Sequence, residues 1–452
     1  MTIPLKDQEW ESLFEEAIKS LSELIRFKTV NPPGNEKPAA DYLAEILSRN
    51  GIEPKVIESA PGRGNVIARL KGTGERPPIL LDGHLDVVSA EPESEWKHPP
   101  FSGKIADGYI WGRGALDMKQ TVIANLMALL VLKRSGMKLK RDLIFAAVAD
   151  EEAGCKYGAE FLVENHPDLI KAEYGLGEIG GFCMEMSGKR IYPIEVAEKG
   201  VCWLRVRAKG EPGHGSIPAP QSAVIKLAAA VKILGEKKLP YHLSEPVRVF
   251  IIRLAESLGG IKGLMLKRLL SPSLADFIID RMLPDKKLAK SFWAMLHNTV
   301  NPTVIRAGDK TNVVPSEATC ELDGRILPGQ TPEDLLREVK ENIGDGYELE
   351  FIKRMPAASQ NPDDPIMKIF EKHLKAHDPA AIVVPNLIMG FTNGSHYSRL
   401  GIKYFGFSPL KLKPGESFQE LFHGFNERVS LDGYKFGLRV FLETVSELVT
   451  DF

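Results

Sequence analysis

Apolar positions recur every three to four residues over 7–28 and 36–50, which predicts two amphipathic helices. Thr29-Val-Asn-Pro-Pro-Gly breaks the first, and Gly51 ends the second. Residues 55–58 and 65–70 alternate as strands do. The apolar runs 78–88 and 142–149 predict buried strands, and 121–135 predicts an apolar helix ending at Gly136. This alternation of helices and strands predicts an α/β fold, a mostly parallel mixed sheet flanked by helices. Near Glu198-Lys-Gly200 the pattern changes. Strands at 201–208, 303–308, 318–326 and 347–354, with helices at 223–234 and 332–343, give the order β-α-β-β-α-β. That order predicts a ferredoxin-like α+β domain inserted into the first. The expected organisation is a discontinuous first domain at 1–197 and 355–452 and an inserted second domain at 198–354. Residues of about 236–298 form an extra helical insertion in the latter, with helix-like stretches at 264–270 and 274–282. Past 363 a helix at 366–376, a strand at 401–407 and a terminal helix at 430–449 complete the first domain.

The 452 residues suggest about two domains, and a hydrophobic fraction of 43% provides for a sizeable core. A net charge of −2 without a basic block argues against nucleic acid as the main partner. The first residues lack the unbroken apolar region of a signal peptide, and no run of about 18 apolar residues predicts a membrane span. The four cysteines, Cys155, Cys183, Cys202 and Cys320, are widely spaced, which fits free buried thiols and a cytoplasmic location.

The chemistry lies where the apolar runs end. His84-x-Asp86, Asp117, and Glu151-Glu152 each follow a strand-like stretch, and parallel strands bring their C-terminal ends to one edge. Imidazole and carboxylates together suit zinc, manganese or cobalt. His84 is placed to ligate, with Asp86 orienting its ring from behind. Of the adjacent pair Glu151 and Glu152, one can bind metal while the other stays free as a general base. Asp117 is placed to bridge two ions, and Glu178, set among glycines, is a fifth candidate ligand.

Gly83-His-Leu-Asp86, the stretch Gly112 to Lys119, Asp150-Glu-Glu-Ala-Gly154, Gly213-His-Gly-Ser216, Asn312-Val-Val-Pro315 with Arg325, and His423 occur in this order. Together they resemble the co-catalytic zinc hydrolases that include acetylornithine deacetylase, succinyl-diaminopimelate desuccinylase, aminoacylase and glutamate carboxypeptidase. The resemblance makes 1–197 with 355–452 the catalytic di-metal domain and 198–354 a lid and dimerisation domain, and it implies two divalent ions, zinc first, with cobalt or manganese possible. It implies one ion on His84, Asp117 and Glu178, and the other on Asp117, Glu152 and His423. It implies Glu151 as general base, Asp86 as the group orienting His84, and a cis peptide between Asp117 and Met118. His214, reaching over from the partner subunit of a homodimer, would donate to the oxyanion. Arg325 would pair with the substrate carboxylate, Asn312 would add an amide contact, and Arg354 and Ser395 are further substrate-binding candidates. The expected reaction is hydrolysis of an amide bond beside a carboxylate. A carboxypeptidase or dipeptidase leads, an N-acyl-amino-acid deacylase is the alternative, and a non-catalytic metal-binding scaffold is a remote one. Where many relatives carry Thr-Asp, this chain carries Thr392-Asn393, which is expected to remove a charge from the substrate end of the site.

Overall fold

The computed structural model describes residues 5–283 and 285–452. The first four residues, part of the stretch read above for a signal peptide, and Pro284 of the helical insertion lie outside them. The described chain forms two compact units. The first runs to Val196 and resumes at Gln360–Asn386 and Thr392–Phe452; the second is Ala197–Ser359 with Leu387–Phe391.

In the first unit the sheet begins with the strands Pro54–Glu58, Gly64–Leu70, Leu143–Val148, Ile79–His84, Tyr174–Gly177 and Lys403–Gly406, in that order, and continues to Lys189–Glu198. The four from Leu143–Val148 to Lys403–Gly406 are mutually parallel, and the strands on the outer side of Leu143–Val148 are antiparallel. Ile79–His84 and Leu143–Val148 are buried at every position, which explains why both read as unbroken apolar runs rather than as alternation. The Lys119–Ser135 helix is buried from Lys119 to Leu132. It packs on the Ile79–His84 strand, on the Asp7–Ile25 helix and on the terminal Leu431–Thr450 helix, so it has no solvent face to make polar. Gly136 ends it in the left-handed conformation, at φ 63°. A separate ribbon pairs Tyr109–Trp111 with Arg428–Ser430, which lays the 112–117 loop beside the loop that carries His423.

The second unit holds an antiparallel sheet in the order Thr299–Ala307, Glu317–Ile326, Gly200–Lys209, Tyr347–Met355. The helices Ala223–Glu236 and Pro332–Ile343 cover one face, where Leu204, Val206, Cys320, Leu322, Leu227 and Leu335 meet in a core. The other face carries ion pairs such as Arg205 with Glu321 at 2.9 Å and Arg207 with Glu317 at 2.8 Å. This is the ferredoxin-like arrangement that the order of elements predicts. The insertion consists of short helices, Glu245–Leu258, Gly260–Lys267, Pro272–Phe277 and Lys286–Leu296 among them. Among the described residues no helix is long and apolar enough to cross a membrane. All four cysteines are buried as free thiols.

Candidate metal centre

Three parallel strands end on one edge of the first unit's sheet. Ile79–His84 delivers His84 and then Asp86, Leu143–Val148 leads to Glu151 and Glu152, and Tyr174–Gly177 leads to Glu178. Asp117 comes from the turn that opens the Lys119–Ser135 helix, and the peptide after it is cis. His423 comes from the loop that follows Phe418–Leu421.

Nε2 of His84 lies 3.2 Å from Asp117 Oδ1, 3.6 Å from Glu178 Oε2 and 3.9 Å from Glu151 Oε2. Nε2 of His423 lies 2.9 Å from Asp117 Oδ2 and 3.2 Å from Glu152 Oε2. The two oxygens of Asp117 therefore face two different histidines, as a bridging carboxylate requires. Ligand atoms of His84, Asp117 and Glu152, and again of His84, Glu151 and Glu178, come within 4.8 Å of one another. By distance alone Glu151 sits among the ligands rather than apart from them.

Asp86 lies behind the His84 ring, as expected, and also ties down the neighbouring turn. Its backbone carbonyl, 2.9 Å from Nδ1, accepts from the His84 ring, while its carboxylate oxygen is 3.5 Å from that nitrogen. The carboxylate accepts from the backbone N–H groups of Glu151 and Glu152, both at 3.1 Å, and from Asn31 Nδ2 at 2.8 Å. Asn31 also donates to Asp150 at 2.9 Å, which in turn accepts from Arg63 at 2.9 Å. A buried polar chain thus fixes the turn that presents both glutamates.

The charges here suit cations. Burial, reinforced by Glu178, pushes the Glu151 carboxyl well above its ordinary range. Burial likewise raises Glu178 to about 7, and it raises Glu152, which Asp117 pushes further. Burial alone would lower His423, yet Asp117 and Glu152 hold it up to about 10. Oε1 of Glu152 is buried without a hydrogen-bond partner among the described residues. Crowded carboxylates, two imidazoles and an unsatisfied buried oxygen are what a pair of divalent ions would satisfy. The residues present fit such a pair.

The remaining expected site residues fall in other surroundings. Asn393 is buried, and its amide donates to Asp82 Oδ2 at 3.1 Å. Asp82 also accepts from the hydroxyls of Tyr397 at 2.8 Å and Tyr404 at 2.9 Å. This corrects the expectation for Asn393: the residue serves a buried carboxylate inside the unit, where an aspartate would oppose Asp82 directly. Ser395 donates from its hydroxyl to the Thr392 carbonyl at 3.1 Å, a local turn bond. In the second unit, His214 and Val313 pair across a short ribbon, with the amide of Gly215 donating to the carbonyl of Asn312 at 2.9 Å. His214 and Asn312 are thus neighbours, both exposed. His214 Nδ1 contacts Ser216 Oγ at 2.8 Å. Arg325 departs from the free fork expected of it. Nε and Nη2 already engage Asp323 at 2.7 and 3.2 Å, and Nη1 is buried with no hydrogen-bond partner among the described residues. Arg354 lies exposed over the Phe351 ring, 3.4 Å from Glu333, as a surface pair does.

Sequence reasoning also passed over Asp82 and Glu427. Asp82 interrupts an apolar strand two residues before His84, on the same face, and that interruption was a usable signal. Beside the centre the first unit has a narrow crevice of about 10 Å³, lined also by Gln120, Thr121 and Ser408. Asp117 and Glu178 form one side, and Leu116, Ile179, Phe182, Phe418 and Phe422 form apolar walls. Phe182 and Phe418 stack with ring centroids 4.1 Å apart.

The pattern of Peptidase family M20/M25/M40 matches residues 80–447. The N-fatty-acyl-amino acid synthase/hydrolase PM20D1 of Mus musculus is 30% identical, over 99% of this chain and 90% of that relative. The probable carboxypeptidase S-like 2 of Dictyostelium discoideum is 31% identical, over 82% of this chain and 72% of that relative. The crystal structure of the M20 family metallo-carboxypeptidase Sso-CP2 of Sulfolobus solfataricus superposes with a TM-score of 0.71 at 21% identity, covering 95% of this chain and 98% of that one. With a two-histidine, four-carboxylate cluster at the strand ends and a family match that spans it, the chain belongs to Peptidase family M20/M25/M40 and is a metal-dependent hydrolase of amide bonds.

Proposed function

We propose that this chain hydrolyses N-acylated amino acids whose acyl group is apolar, with C-terminal peptides as the second reading. The observation that carries the proposal is the run of apolar side chains, Leu116, Ile179, Phe182, Phe418 and Phe422, that lines a narrow crevice beside Asp117 and Glu178. A non-polar group attached to the scissile carbonyl that parts the Phe182, Phe418 and Phe422 rings would bury surface against them at roughly 25 cal/mol per Å². The name of the mouse relative, an N-fatty-acyl-amino acid synthase/hydrolase, supports this reading, and that of the Dictyostelium relative supports the peptide reading.

His84, Asp117 and Glu178 would hold one ion, and Asp117, Glu152 and His423 the other; the donor set accepts zinc, cobalt or manganese, and the family resemblance favours zinc. When bound, such a pair supplies a water acidic enough to ionise near neutrality and positive charge to polarise the carbonyl. Glu151, not needed to complete either set, takes the proton of the attacking water and returns it to the leaving nitrogen. Its burial and its fixed backbone, tied to Asp86, keep that carboxylate aimed and dry. His214, exposed beside Asn312, would donate to the developing oxyanion from the partner subunit of a homodimer. Arg325 retains Nη1 for the substrate carboxylate, and Asn312 adds an amide donor. Arg354 and Ser395, engaged elsewhere, have no part in this scheme. The free thiols fit a cytoplasmic setting.

The test is a matched panel, N-acetyl to N-octanoyl amino acids beside dipeptides, on protein reconstituted with each metal. The expected result is kcat/KM rising with acyl length over the first methylenes and lost in Glu151→Ala by at least about 10²-fold. Preference for dipeptides over every acyl substrate would establish the second reading. No turnover of either class would overturn both.

A further inference from the structure

The proposed ligands of one ion come from two loops far apart in sequence, and a single buried carboxylate joins those loops. Glu427 has no exposure. Its Oε1 accepts the backbone N–H of Leu116 at 2.7 Å and of Asp117 at 3.0 Å. Its Oε2 accepts the N–H of Gly114 at 3.1 Å and Nη1 of Arg113 at 2.7 Å. The backbone adds to this, as Gly112 N–H donates to the Glu427 carbonyl at 3.0 Å. Glu427 therefore organises the turn from Gly112 to Asp117 around itself, as an anion held by a nest of amides does.

The same pair reaches the other ligand. Nη2 of Arg113 donates to the His423 carbonyl at 3.3 Å and to the Ser89 carbonyl at 3.1 Å. His423 and Asn426 both occupy left-handed backbone, at φ 59° and 60°, which a side chain beyond glycine adopts only when its surroundings require it. The Arg113–Glu427 pair is buried on both sides, with side-chain exposures of 3% and 0%, so neither partner can be removed without stranding the other's charge. The Arg113 guanidinium lies 5.0 Å over the Trp96 ring, which fixes its plane.

We infer that Glu427, with Arg113, is a positioning element that sets Asp117 and His423 at the separation needed to share an ion. It touches no reacting atom; it acts through the two loops. Among the metal-binding carboxylates and histidines, only Asp117 and His423 lie on the segments it joins. Its loss therefore weakens the ion on Asp117, Glu152 and His423 more than the ion on His84, Asp117 and Glu178.

This inference rests on the ligand sets proposed above, and the experiment separates the two. Wild-type protein, stripped and titrated with zinc by calorimetry and checked by equilibrium dialysis, should bind two ions per chain; binding of none would remove the ligand assignment itself. Glu427→Gln, similar in size but with an amide where Oε2 accepts, should keep one ion near wild-type affinity and bind the other about 10–100-fold more weakly. Activity should return with excess metal, with KM unchanged, which a general loss of folding would not produce. Two ions at wild-type affinity in a folded Glu427→Gln protein would overturn the inference. Should that variant fail to fold, Arg113→Lys, which keeps the charge but loses the fork to His423, decides in the same way. Weakening confined to one ion supports the inference, and unchanged binding refutes it.

Discussion

Lys199 is the sharpest place to test the energetics of the second unit, because a buried ammonium there is held by neutral oxygens. Its Nζ donates to the carbonyls of Ala294 at 3.0 Å and His297 at 2.9 Å and to Thr299 Oγ1 at 3.1 Å. Two of these acceptors are carbonyls at the C-terminal end of the Lys286–Leu296 helix, where positive charge is favoured. Burial nonetheless dominates and, with Arg325 nearby, lowers the Lys199 ammonium to about 7; Asp323 and Glu338 only partly oppose it. From about pH 7 up to the ordinary lysine value the unfolded chain binds the extra proton, so this group makes stability rise with pH across that window. Each pH unit inside it corresponds to about 1.4 kcal/mol, hence about 2 kcal/mol between pH 7 and 8.5. Lys199→Met lacks that slope. It also leaves the two carbonyls without their donor, at about 1–3 kcal/mol each. The variant should therefore be less stable than wild type, and the gap should widen by about 2 kcal/mol from pH 7 to 8.5. Urea unfolding at both pH values measures the gap, and hydrogen exchange of the 286–296 amides locates it. A gap that stays constant or narrows over that interval would refute the reasoning, since it would mean that Lys199 enters the fold without losing its proton more readily.

Other expectations follow from single contacts. A methyl group at Gly177 would sit 1.6 Å from the Tyr404 hydroxyl oxygen, so Gly177→Ala should drive Tyr404 off Asp82 and displace neighbouring Glu178. A loss of about 1–3 kcal/mol in urea unfolding, with weaker binding of one metal ion, is expected. Burial alone would raise Glu443, but hydrogen bonds from His373 and His377 bring it from 4.5 to about 2, so its contribution is present above pH 4.5 and lost as pH falls toward 2. Glu443→Gln should flatten acid unfolding in that window relative to wild type, as followed by circular dichroism. Chelation should abolish amide hydrolysis and lower Tm, with two equivalents of metal restoring both. Because Glu178 stands near 7 in the metal-free protein and Glu151 is also raised, metal binding near neutrality should release protons. Calorimetry in buffers of different ionisation enthalpy counts them.

The legible parts of this chain are those in which local pattern and global fold agree. The strands before His84 and Glu151 were readable because burial on both faces forces continuous apolar residues, and the clustered histidine and carboxylate side chains were readable because they interrupt or follow those runs. The ferredoxin-like order was readable because Glu317–Ile326 alternates strictly, one face covered by helices and the other open to solvent. The i, i+2 spacing of Asp323 and Arg325 on one strand face was a signal that the reading of Arg325 as free passed over. What escaped the sequence is the set of partners assembled only in three dimensions. Nothing near Asn393 announces that Asp82, 311 residues away, is the acceptor of its amide.

Glu427 shows why such partners matter for function. Read along the chain it is one more acid four residues after a histidine; read in the fold it is the acceptor of four donors from the 113–117 turn. The motif residues state which atoms can hold two ions, but a 2.9 Å approach of His423 to Asp117 also demands that two distant loops be held in register. We assign that work to buried groups engaged by the protein itself: Asp86 under the glutamate turn, Asp82 between two tyrosines, and Glu427 at the turn that carries Asp117. In each case a carboxylate is kept dry and satisfied by amides, hydroxyls or a guanidinium, so that the neighbouring carboxylates can be left crowded and available. The centre is therefore a division of labour among acids. Those with full complements of donors hold the shape, and those without them, Glu151, Glu152 and Glu178, are the ones that burial and crowding raise and that the proposed chemistry would use.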